Sequence, residues 1–383
     1  MQINQSIPTS SRAGRARRCI SFLVLALNTS LFLLGQESRP ICECGPATQH
    51  ILFVGDSFTH GRYLPVRTYN NTPGTGGVGS TLPSPMVVDE NFDTTVPARR
   101  ENQPGETGPW GGVPGIFAEL ASEAGLPYNV HIEAISATNL ITNYNAAESV
   151  IDRSSWDAVV LQEASYQPIP SALSKNSQSD PMVFCSAVRT IEQGVHSVAP
   201  NAKVYLYETW APADTAYEDS LSSPFSPSAY LSALATLTAA YHDAYVSAAM
   251  RDGHIAGIAH VGEAWSLAWS QVVANPDPYG GSASGVPLSF GYQAGSEPAT
   301  RDVPTDAGYH HPSIYGAYLN GLVLFQKITG TDVRSFGAGE HAAGSLGIPA
   351  NVAVQLQQVA WQSVAFENNQ PVNPAIDPCT LTH

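Results

Sequence analysis

Basic residues are scarce in this chain of 383 residues. Lysine and arginine total 17 against 32 acidic residues, which gives a formal net charge of −15. The body of the chain has no arginine-rich stripe, so nucleic acid is an improbable partner. The acidic excess is explained more simply by solubility than by function. Hydrophobic residues make up 43% of the chain, which is normal for a globular core and excludes general disorder.

The apolar run near the N-terminus is too short for a stable membrane span. It covers residues 19–27 and 31–34, with polar residues between the two parts, and four arginines precede it. A basic segment followed by a short apolar segment is typical of a secretory signal. The sequence therefore predicts a cleaved signal peptide over 1–36 and a secreted or periplasmic protein without a stable membrane partner. A retained membrane anchor is the alternative.

Cysteine is also rare, with five residues in all. Cys19 lies in the predicted signal, Cys42 and Cys44 form a pair just after it, and Cys185 and Cys379 are isolated. This spacing does not resemble a zinc site. In an exported protein Cys185 could pair with Cys379, or either could pair with the Cys42/Cys44 pair. Buried free thiols are the alternative.

Alternating and apolar stretches predict five β-strands. The first lies within 50–61 together with the serine turn that follows it, and the others are at 128–135, 157–162, 203–210 and 255–261. Helical patterns fall between and after them, at 113–125, 181–197, 228–251 and 315–329. Strands that alternate with helices favour a parallel sheet covered on both faces. The prediction is a three-layer α/β/α sandwich with a mainly parallel, flavodoxin-like sheet.

The chain shows no internal repeat, so we predict one domain over 50–366. A linker over 37–49 precedes this domain and a proline-rich tail over 367–383 follows it. Residues 66–112 are rich in glycine, proline, threonine and asparagine and show little periodicity. They are predicted to form an irregular insertion over the mouth of a site, since loops of that length are usually functional or disordered.

A serine follows the first predicted strand. The apolar run 51–54 ends at Gly55, Asp56 and Ser57, at the carboxyl edge of the sheet, where open α/β folds bind their ligands. Ser57 is therefore the predicted nucleophile, and a serine hydroxyl needs an adjacent base to act as one. The alternative is that Ser57 only caps the next helix.

The predicted base lies about 250 residues later. His311 precedes the helix at 315–329, and Asp306 is close enough in sequence to hold its second ring nitrogen. His310 is the competing base and Asp302 the competing carboxylate. The two histidines could also be half of a metal site, but the sequence shows no third ligand, so no metal is predicted.

These motifs resemble those of the GDSL, or SGNH, hydrolase superfamily. The match lies in residues 55–59, which read Gly-Asp-Ser-Phe-Thr, and in His311-Pro312-Ser313 with Gly316 and Tyr318-Leu319 after it. The resemblance covers about residues 50–330 and implies a three-layer α/β/α fold. It also implies a Ser-His-Asp triad of Ser57, His311 and Asp306, and an oxyanion hole to which the N–H of Ser57 contributes. The Gly-x-Ser-x-Gly elbow of α/β-hydrolases is absent.

The chain departs from the superfamily pattern in three places. Asp306 is further from His311 than the Asp-x-x-His spacing would put it. The second block has Ala137 where a glycine is expected, and the backbone N–H near Ala137 would take over as oxyanion donor. The third block has Gln162 where an asparagine is expected, and its side-chain amide would be the remaining donor. Gln162 could instead satisfy backbone groups of its own loop.

Several further residues are predicted at the same edge of the sheet. Glu163 could steady its loop or position His60. Trp210 and Trp110 could be platforms for a sugar ring, with ordinary packing as the alternative. The residues predicted to bind substrate are Asp56, Glu163, Trp210 and His310.

Together these features predict a secreted serine esterase that hydrolyses short acyl esters through an acyl-enzyme, with O-acetylated carbohydrate as one possible substrate. No cofactor is predicted, and the expected partner is a small-molecule or carbohydrate ester. A lipase or an acyltransferase with the same triad is one alternative. A non-catalytic glycan-binding module of the same fold is the other, because the second and third blocks are altered.

Overall fold

The computed structural model describes residues 47–71, 87–92, 108–220, 226–277, 284–290, 310–367 and 377–380. The predicted signal peptide, most of the predicted linker and most of the predicted tail lie outside these residues. So do Asp302 and Asp306. No helix in these ranges combines the length and the apolar character needed to cross a bilayer.

A parallel sheet of six strands forms the centre of the molecule. Its strands are β1 (Gln49–Gly55), β2 (Val87–Asp89), β3 (Tyr128–Ala134), β4 (Ala158–Leu161), β5 (Lys203–Glu208) and β6 (Gly257–His260). Their order across the sheet is β2-β3-β1-β4-β5-β6 and every pairing is parallel. A short pair, β7 (Ala274–Asn275) and β8 (Val286–Pro287), lies apart from it. Without the edge strand β2, the order is the flavodoxin-like one, so the predicted fold class is confirmed.

Helices cover both faces of the sheet. They are α1 (Ser57–His60), α2 (Gly112–Glu123), α3 (Leu140–Ile151), α4 (Ser171–Ser174), α5 (Pro181–Val198), α6 (Ala213–Ser220), α7 (Pro227–Asp252), α8 (Val261–Ser270), α9 (Ile314–Thr329), α10 (His341–Ser345) and α11 (Ala350–Glu367). The apolar residues of β1 alternate between two cores. Ile51 and Phe53 face the core shared with α2, α8, α9 and α11, while Leu52 and Val54 face the core shared with α3, α5 and α7. A strand buried on both faces needs such a continuous apolar run.

Several elements differ from the sequence expectations, and helices α3 and α8 are among those that were not predicted. The segment 66–112 is not irregular throughout, because Val66–Thr68 forms a 3₁₀ turn and β2 pairs with β3 as an edge strand. A strand of three residues is too short to produce a recognisable alternation. Helix α11, which packs against α8 and α9, was not among the predicted helices.

A disulfide joins Cys185 of α5 to Cys379 near the C-terminus, across a sequence separation of 194 residues. This is one of the pairings that the sequence left open. Cys379 lies in a short 3₁₀ helix that packs against α5 and α7. The bridge therefore ties the end of the chain to the face of the sheet that α5 and α7 cover.

Replacing both Cys185 and Cys379 with serine is expected to lower the free energy of unfolding by about 2–4 kcal/mol, since a cross-link over a long loop restricts the unfolded chain. Urea unfolding of the oxidised wild type and of the double variant measures the difference. Wild type under a reducing agent is the control and should behave like the variant. Equal midpoints for all three samples would contradict the prediction.

Candidate active site

Ser57 lies at the point where the order of the strands reverses. It follows β1, whose neighbours are β3 on one side and β4 on the other, and such a switch point is where open α/β sheets bind ligands. Asp56 caps the following turn, because its Oδ1 accepts from the backbone N–H of Phe58 at 2.9 Å. Ser57 is the first residue of α1, so the turn fixes its direction at the edge of the sheet.

His311 contacts Ser57 directly. The distance between Ser57 Oγ and His311 Nε2 is 2.8 Å, although 254 residues separate the two in sequence. Each residue is only 5% exposed. The ring edges of Phe58 and Tyr63 meet the imidazole, with centroid distances of 5.3 and 5.8 Å. The pair thus has the hydroxyl–imidazole geometry of a serine nucleophile and its base.

The backbone of His311 is held by the segment 286–290. His311 O accepts from the N–H of Phe290, and Ser313 N–H donates to Leu288 O, both at 2.7 Å. Ser313 then begins α9, since its Oγ accepts from the N–H groups of Tyr315 and Gly316. A strand-like contact on one side and a capped helix on the other leave the imidazole little freedom to move away from Ser57.

Gln162 directly follows β4 and forms hydrogen bonds to the nucleophile turn, which is the turn of residues 55–59 that carries Ser57. Its Oε1 accepts from Asp56 N–H at 3.0 Å and from Thr59 Oγ1 at 2.7 Å, and its Nε2 donates to Glu163 O at 2.6 Å. Gly55 is required at this point, because a Cβ there would lie 2.5 Å from Gln162 Oε1 and 2.3 Å from Thr59 Oγ1. Gln162 is therefore part of the site, and its predicted donation to an oxyanion stays a prediction.

Ala137 follows β3 in a left-handed backbone conformation, with φ of +58°, and is exposed. This is a conformation that glycine adopts without strain, and the superfamily resemblance leads one to expect glycine here. Just before it, Ser136 Oγ lies 2.7 Å from Nε2 of the buried His60. The ring of His60 stacks on Trp110 at 4.0 Å. The turn that carries Ala137 is thus anchored next to α1.

His310 belongs to a second hydrogen-bonded set. Its Nε2 lies 2.8 Å from Ser165 Oγ, and its Nδ1 lies 3.0 Å from both carboxylate oxygens of Asp214. The rings of His310 and His311 are 5.5 Å apart, and Phe58 contacts both. The site thus holds two serine–histidine pairs side by side.

The sequence did not identify two members of this second set. Ser165 lies three residues after Gln162 and was not singled out from the sequence, and its position shortly after β4 was the available signal. Asp214 had no signal, because it lies in α6, 96 residues from His310. Asp306 and Asp302 lie outside the described residues, so the predicted carboxylate partner of His311 stays a prediction.

The tryptophans do not have the predicted role. Trp210 is fully buried and stacks on Phe58 at 4.3 Å and on Trp265 at 4.5 Å. Trp110 is also fully buried. Neither presents a face to a sugar ring, so the prediction that Trp210 binds substrate is wrong. Trp210 supports the site instead, because its Nε1 donates to His310 O at 3.3 Å.

Glu163 is likewise unavailable to substrate. It is fully buried, and its Oε1 accepts from the N–H groups of Leu140 and Ala164, both at 2.8 Å. It therefore steadies the loop after β4 and the start of α3, which corrects its assignment as a substrate-binding residue. Burial raises the pKa of Glu163 to about 8, an effect that the two N–H donors oppose and the charge of Asp56 reinforces.

The raised pKa of Glu163 predicts that stability falls as pH rises from about 4.5 to about 8, because over that interval the folded state retains a proton that the unfolded state releases. Glu163→Gln keeps a carbonyl acceptor and cannot ionise. Relative to this variant, the free energy of unfolding of the wild type should fall by about 2–3 kcal/mol between pH 5.5 and pH 7.5. Urea unfolding at both pH values tests this, with the exposed Glu148→Gln as a control that keeps the wild-type slope. Parallel profiles for wild type and Glu163→Gln would contradict it.

No model of a known protein family matches the chain, and no curated protein sequence matches it. Solved structures do. A DUF4886 family protein from Bacteroides uniformis is 13% identical, with a TM-score of 0.45, over 86% of this chain and 98% of that one. Phospholipase A1 from Streptomyces albidoflavus is 12% identical, with a TM-score of 0.40, over 74% of this chain and 99% of that one. An acetylxylan esterase from Geobacillus stearothermophilus is 12% identical, with a TM-score of 0.37, over 79% and 95%. Similarities this distant carry no argument about the chemistry of the site.

Proposed function

We propose that this protein is a serine esterase that hydrolyses short acyl esters through an acyl-enzyme. One observation carries the proposal, namely the 2.8 Å contact between Ser57 Oγ and His311 Nε2 at the carboxyl edge of a parallel sheet. A histidine at this distance can accept the hydroxyl proton as the oxygen attacks a carbonyl carbon.

Acylation proceeds in two steps that use Ser57 and His311. His311 Nε2 takes the proton of Ser57 while Ser57 Oγ bonds to the ester carbonyl carbon, which becomes tetrahedral. The imidazolium then returns the proton to the alcohol oxygen as the carbon–oxygen bond breaks, and the acyl group stays on Ser57. In the second half, His311 takes a proton from water, the hydroxide attacks the acyl carbon, and Ser57 leaves with the proton.

The negative oxygen of each tetrahedral intermediate needs donors fixed in advance. The proposed donors are the backbone N–H of Ser57, a backbone N–H at Ala137 and the side-chain amide of Gln162. The hydrogen bonds that Gln162 Oε1 accepts from Asp56 and Thr59 hold the amide beside the nucleophile turn. Its Nε2 donates one hydrogen to Glu163 O, so the second amide hydrogen is the one proposed to reach the oxyanion.

Gln162→Ala is expected to lower kcat by about 10²–10³-fold with little change in KM, as removal of one oxyanion donor does. Thr59→Val is the matched control, because it removes one of the bonds that hold Gln162 and leaves its amide in place. Thr59→Val should lower kcat by less than about tenfold. Steady-state kinetics on one ester measures both. Equal and small losses in the two variants would mean that Gln162 only supports the turn.

The proposed substrate has a small acyl group and a polar alcohol, such as an O-acetylated carbohydrate. Ser57 and His311 are each 5% exposed, and Tyr63 stacks on Phe290 beside His311 with ring centroids 3.9 Å apart. A confined site of this kind suits a short acyl chain. The segment 66–112 is rich in polar residues and has few of the bulky aliphatics that a lipid-binding lid would need.

Export forms part of the proposal. The basic and then apolar start of the chain supports it. The Cys185–Cys379 disulfide supports it as well, because such bonds persist mainly in oxidising compartments. Fractionation of producing cells, with the mass of the secreted form, tests it.

The function is tested by hydrolysis of p-nitrophenyl acetate, butyrate and octanoate, together with labelling by a serine-directed fluorophosphonate. We expect the highest kcat/KM on acetate or butyrate and a single label on the peptide that contains Ser57. A preference for octanoate would indicate a lipase. Background rates with no label on Ser57 would overturn the proposal in favour of a binding module.

A further inference from the structure

Four titratable side chains meet at the carboxyl ends of β5 and β6, whereas Ser57 follows β1. They form what we name the acid–histidine cluster, which consists of Glu208, His242, His260 and Glu263. Each residue offers one ligand-type atom, and all four atoms lie within 4.8 Å of one another. The cluster has no part in the proposed ester chemistry, and the inference drawn from it is independent of that function.

The fold explains why these residues meet. Glu208 and His260 are opposite each other in the parallel register, as the last pair of β5 and β6. Both follow by two positions a residue of the core shared with α7, namely Leu206 and Ile258, so they point to the same face of the sheet. His242 comes from α7, which covers that face. Glu263 lies in the first turn of α8, three residues after His260.

Burial makes the charges of this cluster unusual. Glu208 is fully buried and His260 is 4% exposed, whereas the side chains of His242 and Glu263 are about one-third exposed, at 30% and 33%. Among the described residues, every ion pair of the two carboxylates is with one of the two histidines. Glu208 is therefore a fully buried carboxylate whose ion pairs are with histidine, and a buried carboxylate needs such partners to offset the cost of its burial.

Hydrogen bonding leaves part of the cluster unsatisfied. Glu208 Oε1, His242 Nδ1 and Glu263 Oε2 make no hydrogen bond to the residues that the structure describes. His242 Nδ1 lies 2.6 Å from Glu263 Oε1, and the two side chains form an ion pair. The cluster therefore has carboxylate oxygens whose hydrogen-bonding capacity the described residues leave unused.

We propose that the acid–histidine cluster binds a divalent transition-metal ion, with zinc as the best fit. Two imidazole nitrogens and two carboxylate oxygens are a donor set that suits zinc, whereas magnesium and calcium prefer oxygen alone. Bonds of 2.0–2.2 Å in a tetrahedron put neighbouring ligand atoms about 3.4 Å apart. Glu208 Oε2 lies 2.5 Å from His260 Nδ1 and 4.0 Å from His242 Nδ1. Glu263 Oε1 lies 2.6 Å from His242 Nδ1, and Glu263 Oε2 lies 3.4 Å from His260 Nδ1. Shifts below about 1 Å would therefore bring these atoms to tetrahedral spacing.

The ion would have a structural role. All four positions of a tetrahedral site would be filled by protein groups, which is the arrangement of structural rather than catalytic zinc. It would join β5, β6, α7 and the start of α8. The exposed part of His242 and Glu263 gives the ion a route from solvent. Binding would displace protons from the cluster, as metal binding to such ligands does.

The test uses the full chain after dialysis against a chelator. Titration calorimetry with ZnCl₂ should show that wild type binds one equivalent of zinc. In His242→Ala and in Glu208→Gln, zinc binding should be lost or its Kd raised at least about 100-fold, since each variant removes one of four ligands. Zinc at about 100 times Kd should raise the Tm of wild type by about 5 °C, and MgCl₂ should not. Metal-free Tm and circular dichroism establish that each variant is folded.

His254→Ala is the matched control. His254 belongs to a second group with Glu192 and Asp252, whose ligand atoms are equally close but where His254 is 72% exposed. This variant should bind zinc like wild type. The proposal is overturned if wild type takes up no zinc, if His242→Ala and Glu208→Gln bind it unchanged, or if binding is lost in His254→Ala instead. Each of these readouts is independent of ester hydrolysis.

Discussion

Ser57→Ala is expected to lower kcat/KM for p-nitrophenyl acetate by about 10⁴-fold or more, which is about 5.5 kcal/mol of transition-state stabilisation. The reason is that the acyl group has no other acceptor once Ser57 Oγ is gone, while the oxyanion donors and the binding site remain. Ser57 is 5% exposed, and the substitution removes one oxygen without adding volume. Steady-state kinetics measures the loss of kcat/KM. Active-site titration of the wild type verifies the enzyme concentration.

Ser165→Ala is the control for this prediction. Ser165 forms the same type of contact with a histidine, at 2.8 Å from His310, and that histidine is in turn paired with Asp214. If Ser57 is the nucleophile, Ser165→Ala should retain activity within about tenfold of the wild type. The reverse outcome, with activity lost in Ser165→Ala and retained in Ser57→Ala, would assign the nucleophile to the second pair.

His311→Ala should have an effect nearly as large as that of Ser57→Ala, about 10⁴-fold or more in kcat, because the two residues act as a unit. His310→Ala removes the adjacent imidazole and should lower kcat far less, by about tenfold. Its ring lies on Ser165 and Asp214 rather than on Ser57. The pair of variants therefore separates the two bases by function.

The combination of the two main variants gives a further check. Ser57→Ala with His311→Ala should be no slower than either single variant, since losses within one catalytic unit are strongly non-additive. Fluorophosphonate labelling of Ser57 should fall in His311→Ala and persist in His310→Ala. Additive losses, or normal labelling of Ser57 without His311, would mean that the contact at 2.8 Å is not the catalytic one.

Sequence patterns were sufficient for the main elements of the fold. Five strands and four of the longer helices could be predicted, because a strand buried on both faces needs a continuous apolar run. The edge strand β2 could not, since three residues in a segment rich in glycine and proline carry no periodicity. The pairing of Cys185 with Cys379 also needed the structure, because it depends on where the end of the chain packs.

The site was predicted in part. Ser57, His311 and Gln162 lie together, and the signal for each was a polar residue next to a strand end or a helix start. Trp210 and Glu163 carried the same signal and are buried supports. Position at a strand end places a side chain near the edge of the sheet, but it does not say whether the side chain faces solvent or the layer beneath.

The sequence by itself determined the parallel sheet and the serine at the end of its first strand, because both depend on local patterns of apolar and polar residues. Only the tertiary structure decided which of two adjacent histidines contacts Ser57. His310 and His311 have the same chemistry and the same neighbours along the chain. Their directions are set by contacts with residues far away in sequence, Ser165 and Asp214 for His310, and Ser57, Phe58 and Tyr63 for His311. The same is true of the acid–histidine cluster, whose members meet through strand register and helix packing that no local pattern encodes.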